Sequence, residues 1–271
     1  GIHQPVNLLT RKPSNCQLII VTLPDSLSRT TPPLIAIMVA MLQFVLDLLF
    51  PIHCAGCRSL GNHICKKCFS QLRHELRHTC IVCRKANILG VTHRACKKRY
   101  GVDAHISILH YNPILKRVLS SVKYHGARDA YAALLWALQP ALKKALERWS
   151  ECGLIQKDCV ICPIPLHPKR QKARGFNQSE DLARVLANIT GLEVHNLLLR
   201  STNTAQLARM PHDGSRRQHI KHAFSPTQSQ RSRAVSTVIL IDDVVTTGAT
   251  VEEASRTLKQ SGNATHVYVL S

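Results

Sequence analysis

Val238-Ile239-Leu240-Ile241-Asp242-Asp243-Val244-Val245-Thr246-Thr247-Gly248-Ala249-Thr250 is the stretch that decides the fold. Its four leading apolar residues predict a strand buried on both faces. Two carboxylates stand where that strand emerges, at the carboxyl end where open α/β sheets bind ligands. Gly248 is free to take a positive φ, so backbone N–H groups and threonine hydroxyls can converge on a phosphate, and the following helix start adds favourable potential. Thr250 and Glu253 stand at capping-box spacing and predict a helix beginning there. Asp242 and Asp243 would repel a phosphate, but they suit the vicinal hydroxyls of a ribose, or a magnesium ion, about one sugar away. An acidic strand end with an ordinary capped turn would explain each part alone. The combination describes a ribose 5-phosphate pocket, and the lack of a following GKS or GKT excludes a Walker loop.

Working outward, strands and helices alternate. His105–Tyr111 reads as a strand, and Asn112-Pro113 starts a helix with Ile114, Leu115, Val118, Leu119 and Val122 at helical spacing. A helical stretch over 129–149 carries Leu134, Leu138, Leu142 and Leu146, with a break expected at Pro140. Cys159–Ile164 is a short apolar run, 177–189 a helix, 250–261 a helix ending at Gly262, and 266–270 a last strand. Cys152, Cys159 and Cys162 are expected in or near the core. This order predicts an α/β fold with a mostly parallel sheet flanked by helices.

Before it lies a different chemistry. Of the eleven cysteines, seven fall between residues 54 and 96 in paired spacing, which suits metal binding in a reducing compartment and places the protein in the cytoplasm. Cys54, Cys57, Cys65 and Cys68 form two CxxC knuckles, enough for one closed structural zinc site. Cys80, Cys83 and Cys96 supply three ligands, so a second zinc needs His93 or another side chain. His53, His63, His74 and His78 read as facing solvent or anions. Residues 34–50, LIAIMVAMLQFVLDLLF, approach the length of a membrane span, but Gln43 and Asp47 interrupt them and no small-residue cleavage site follows. They read as a buried or docking helix, with no stable membrane span. The resulting plan is a poorly ordered extension over 1–40, a helix and small zinc-ribbon-like module over 41–101, and the α/β domain over 102–271.

With 45% hydrophobic residues, the 271-residue chain can bury a sizeable core, which excludes a disordered tail or a collagen-like protein. Its net charge of +20 favours polyanionic partners. That charge is concentrated: residues 51–100 hold 11 basic side chains against one acid, and residues 161–234 hold 12 against four. An aromatic content of 4% leaves few rings for base stacking; Phe69, Tyr100, Tyr124 and Phe176 are those near basic residues, with core packing the expected role of most.

The 238–250 stretch resembles the PRPP-binding signature of type I phosphoribosyltransferases, and the cysteine knuckles ahead of it resemble the ComF (GntX-like) competence family. Further segments carry the likeness: Leu48-Leu49-Phe50-Pro51; Val122-Lys123-Tyr124-His125-Gly126; Pro163-Ile164-Pro165-Leu166-His167-Pro168-Lys169-Arg170 running to Arg174-Gly175-Phe176-Asn177-Gln178; and Thr204-Ala205-Gln206 with Arg216-Arg217 and Ala223-Phe224. The chain departs from the family at Cys96-Lys97-Lys98-Arg99, where a CxxC is usual, and at His219, where Asn is frequent.

The resemblance implies roles. Asp242 and Asp243 would hold the ribose hydroxyls, and Thr246, Thr247, Gly248, Ala249 and Thr250 the 5-phosphate. His167, Lys169, Arg170 and Arg174 would approach the pyrophosphate with magnesium. Phosphoribosyl transfer from PRPP would then need positioning and charge more than a covalent nucleophile. One helix and one strand follow the signature, which leaves little to grip a base, so the cysteine module is either a hood over the sugar or the part that presents a different acceptor. The family's link to natural transformation also implies an alternative, a non-catalytic protein binding single-stranded DNA through the same pocket and basic surface, alongside other competence proteins.

Overall fold

The structure is a computed structural model describing residues 51–72, 77–125, 127–202, 220, 222–227 and 235–271, with the single positions Met38, Met41 and Leu49. The expected extension over 1–40, most of the 34–50 helix, and the 204–206, 216–217 and 219 positions lie outside the described residues. Among the described residues, no helix is long and apolar enough to cross a membrane.

In chain order the elements are α1 (Lys66–Ser70), β1 (Arg77–His78), β2 (Ala104–Ser107), α2 (Pro113–His125), α3 (Arg128–Glu151), β3 (Val160–Pro163), α4 (Pro168–Arg174), α5 (Gln178–Thr190), β4 (Leu198–Arg200), β5 (Phe224–Pro226), β6 (Val235–Ile241), α6 (Ala249–Gln260) and β7 (Ala264–Leu270). The main sheet runs β1-β2-β7-β6-β3, with β2, β7, β6 and β3 parallel and β1 antiparallel at its edge. β4 and β5 form a separate antiparallel ribbon. This is the expected mostly parallel sheet flanked by helices.

Alternation along the strands divides the core into two. Ile239 and Ile241 of β6, with Ile106 and Leu270, pack against α2, α3 and α5. Val238 and Leu240, with Cys162, Val267 and Val269, pack against α6 and the β4–β5 ribbon. Both faces of β6 are therefore covered, as its unbroken apolar run requires. The cysteine module joins both clusters, since Cys54, Cys68 and Leu72 belong to the first and Ile81 to the second.

Four expectations are corrected. The strand expected over 105–111 ends at Ser107, because pairing with β7 stops at Ile106–Leu270 and the Ser107 hydroxyl donates to the Leu109 carbonyl (3.1 Å), turning the chain away. The helix expected to break at Pro140 continues through it. Pro140 is exposed and has a helix-compatible φ, while Leu138 and Leu142 on either side are buried and hold the axis in place. Cys152 is exposed, whereas Cys159 and Cys162 are buried as expected. The capping box at Thr250 and Glu253 does not form. Gly248 is the N-cap, α6 starts at Ala249, and the Glu253 carboxylate accepts from the His222 N–H (2.6 Å) and from Arg256.

Pro140→Ala restores the missing helical N–H on the solvent side without disturbing the buried face. It should raise stability by about 1–3 kcal/mol, read as a higher urea midpoint at unchanged slope.

Candidate functional site

β6 lies between β7 and the outermost strand β3, so it is paired on both sides where its carboxyl end opens. Asp242 and Asp243 follow at once and are both half-buried. The Asp242 N–H donates to the Leu270 carbonyl (3.2 Å), and the Asp243 N–H donates to the Asp242 carboxylate (2.9 Å), which fixes the turn. Lys123 of α2 forms an ion pair with the far carboxylate, its Nζ 2.5 Å from Asp243 Oδ2. Burial, reinforced by the neighbouring charge of Asp243, pushes the Asp242 carboxyl up to about 7 against the pull of Lys123.

The turn after the acids has the expected conformation. Gly248 sits at φ 80°, and the Thr247 hydroxyl accepts from the Ala249 N–H (3.4 Å). The opening amides of a helix lack intrahelical partners, so this turn presents donors to an anion. Thr246 is exposed and Thr247 and Thr250 are half-buried, while Gly248 and Ala249 are covered. The cover comes from the cysteine module. Ile81 lies 3.4 Å from where a Cβ on Gly248 would stand, and Arg84 donates to the Thr246 carbonyl (2.6 Å).

The basic segment after β3 is a short capped helix, an element the sequence reading did not foresee. His167 is its N-cap, with Nδ1 accepting from the Lys169 N–H (3.3 Å), and Gly175 ends it at φ 76°. Asn177 then caps α5 and ties it to the strand end, donating to the Ile164 carbonyl (3.0 Å) while accepting from Ser179 N–H (3.1 Å). Lys169 and Lys172 point to solvent, whereas Arg170 and Arg174 are half-buried. Arg200, at the end of β4, stands within electrostatic reach of Arg170, Arg174 and Asp242, and burial, then the charge of Arg170, lowers its pKa. Sequence reading missed Arg200 because a three-residue strand gives almost no periodic signal. It quoted Lys123 but gave it no role.

The cysteines gather into two four-ligand sets, Cys54, Cys57, Cys65 and Cys68, and Cys80, Cys83, His93 and Cys96, with the ligand atoms of each set all within 4.8 Å of one another. All ten described cysteines are free thiols. Four sulfurs at about 2.3 Å around a tetrahedral zinc stand roughly 3.8 Å apart, and Cys57 Sγ lies 3.6 Å from Cys65 Sγ. Backbone N–H groups of Gly56 and Cys65 donate to Cys54 Sγ (3.4 and 3.3 Å). In the second set, His93 Nδ1 lies 3.3 Å from Cys83 Sγ, where it could serve as the fourth ligand. Both sets could bind zinc. The two knuckles also repeat one backbone turn: Arg58 and Arg84, each just past its second cysteine, adopt φ of 65° and 63°, and donate to the carbonyls of Cys54 and Cys80 (2.8 and 2.9 Å). Phe176 is buried with Arg128 over its ring, so it packs rather than presents a face for bases.

The raised carboxyl at Asp242 has a consequence for stability. Unfolded, an aspartate titrates near 4, so the fold retains the proton as pH rises from there towards 7 and loses stability across that window. In magnesium-free buffer, Asp242→Asn should melt with the parent near pH 4. At pH 8 it should melt a few degrees higher, at about 2–4 °C per kcal/mol for a chain of this size. Coincident melting at pH 8 would contradict the burial of that carboxylate.

No protein-family model matches the chain. It is 26% identical over 211 residues to competence protein ComFC of Bacillus subtilis, covering 75% of this chain and 81% of that protein. It is 28% identical over 211 residues to competence protein F of Haemophilus influenzae, covering 77% and 85%. A shorter match, 28% identical over 163 residues and covering 59% and 67%, is to DNA utilization protein YhgH of Escherichia coli O157:H7. The chain is thus similar to ComF-like competence proteins and to a DNA utilization protein, each at under 30% identity.

Proposed function

We propose that the chain binds the phosphoribosyl group of PRPP, or another ribose 5-phosphate, with magnesium at the carboxyl end of β6, and that this pocket serves DNA uptake. One observation carries the reading: paired carboxylates, a positive-φ glycine turn and a cluster of arginines meet at the carboxyl end of β6. Asp242 and Asp243 accept from the two ribose hydroxyls, with Lys123 holding Asp243 in place. The amides from Thr246 to Thr250 receive the 5-phosphate, and Arg84 braces that turn from the cysteine module. Arg170, Arg174 and Arg200 offset the charge of the pyrophosphate, and Lys169 adds to the field from solvent. Magnesium, when bound, would neutralise further pyrophosphate charge beside the acid pair. Charge developing on a departing pyrophosphate meets fixed cations here, so the same pocket supports phosphoribosyl transfer.

Exposed Lys66, Lys67, Lys85, Lys97 and Lys98 spread a basic surface over the neighbouring cysteine module. That surface suits the phosphate backbone of single-stranded DNA, in keeping with the names of the competence and DNA utilization relatives. The metal that holds this module together is inferred to be zinc in both clusters, a structural role because four protein ligands leave no open position.

PRPP with magnesium should raise the melting temperature, by the linkage of about 2.7 kcal/mol at a ligand concentration one hundred times Kd. Asp242→Ala combined with Asp243→Ala should abolish the rise. A shift of the same size in the double variant would show that the acids do not hold the sugar. For the clusters, elemental analysis should find two zinc ions per chain, falling to about one in His93→Ala. A parent protein holding a single zinc would remove the second site.

A further inference from the structure

The two cysteine sets repeat one backbone turn but lean on different parts of the fold. The first packs at the start of α2: Ile114 lies 3.4 Å from where a Cβ on Gly56 would stand, and Asn112 donates to the Gln71 carbonyl (2.7 Å). Lys123, which pairs with Asp243, stands near the other end of that helix.

The second set stands against the glycine turn itself. Ile81, between Cys80 and Cys83, covers Gly248, and Arg84, just past Cys83, donates to the Thr246 carbonyl (2.6 Å). The Thr92 hydroxyl, beside His93, donates to the Val102 carbonyl (2.7 Å). The chain leaving Cys96 then reaches α6, where Ser255 donates to the Tyr100 carbonyl (3.0 Å) and Lys259 to the Gly101 carbonyl (2.8 Å). All four ligands of the second set thus lie in the segment that holds the glycine turn and α6.

Arg84 is in the left-handed region, at φ 63°, which a residue with a β-carbon keeps only where its surroundings hold it. Two backbone hydrogen bonds do so, from the Cys80 N–H to the Lys85 carbonyl and from the Arg84 N–H to the Cys80 carbonyl (both 2.9 Å). A metal shared by Cys80 and Cys83 would clamp the same turn.

We propose that Ile81 and Arg84 are positioning residues for the turn from Thr246 to Thr250, and that metal ligation by Cys80, Cys83, His93 and Cys96 keeps them in place. Metal binding at this set and binding of a phosphate-bearing ligand at the turn are then linked, each strengthening the other by the same factor, while the first set carries no such link. Naming the ligand a ribose 5-phosphate rests on the reading above; the hold of the second set on the turn does not.

On the full chain, Cys83→Ser with His93→Ala empties the second set, and Cys57→Ser with Cys65→Ser the first. Hydrogen exchange over residues 244–256 should quicken about tenfold or more in the second-set variant and keep the parental rate in the first-set variant. Ile81→Ala with Arg84→Ala should quicken the same segment while both metals stay bound. Emptying the second set in that background should add little, whereas independent structural damage would add in full. Ribose 5-phosphate should bind about tenfold more weakly to the second-set variant and, in the parent, should raise the affinity of that set for zinc, read by competition with a chelator, by the same factor. Arg84→Lys, which keeps a donor, should recover part of the binding lost in Arg84→Ala. Unchanged exchange in the second-set variant, an equal rise in both variants, or full additivity with the Ile81 and Arg84 changes would overturn the proposal. Exchange that responds as expected in a parent that binds no ribose 5-phosphate would support the hold on the turn and overturn only the sugar reading.

Discussion

Two like charges held side by side at the end of a buried strand are the constraint around which the rest of this fold is arranged. Hydrogen bonding to β3 and β7 fixes the register of β6, so Asp242 and Asp243 emerge where neighbouring strands and helices exclude much of the water. Carboxylates in such a place are costly unless cations or hydrogen-bond donors meet them. Lys123 reaches one of them from α2, and Arg200 approaches the other from the ribbon. The arrangement is strained electrostatically and tolerant of a ligand that brings hydroxyl donors or a divalent cation. Such strain fits a site kept for binding better than one kept for stability.

The cysteine module is not an appendage to this site. Ile81 seals one side of the glycine turn, Arg84 braces its carbonyl, and Trp149 of α3 donates to the Leu89 carbonyl (3.0 Å). α6 is clasped from the same side, with Ser255 donating to the Tyr100 carbonyl and Lys259 to the Gly101 carbonyl. A region with so few large apolar residues needs cross-links to keep its shape, and the two four-ligand sets offer them. The second set stands at the knuckle that carries Ile81 and Arg84, so a metal bound there would act directly on the shape of the turn.

Much of this was legible in the sequence. β6 is an unbroken apolar run because both of its faces are covered, and the alternation of strands and helices forces a parallel sheet. The knuckle spacing announced one complete ligand set and three cysteines of a second, whose fourth position was open between His93 and another side chain until the fold brought His93 beside Cys83. Several misreadings turned on packing and pairing that a local pattern does not show. Pro140 breaks a helix only when packing on either side does not hold the axis, and Leu138 and Leu142 do hold it. Glu253 matched a local capping pattern, but the His222 amide and Arg256 claimed its carboxylate. Arg200 and the reach of Lys123 to Asp243 depend on tertiary placement that no local pattern encodes.

The central claim concerns which atoms the acid pair touches, and a crystal structure of the chain with PRPP and magnesium tests it most directly. The account predicts both ribose hydroxyls within hydrogen-bond distance of the Asp242 and Asp243 carboxylates, with the 5-phosphate against the amides from Thr246 to Thr250. A sugar bound elsewhere, with these acids still turned to Lys123 and Arg200 alone, would contradict it.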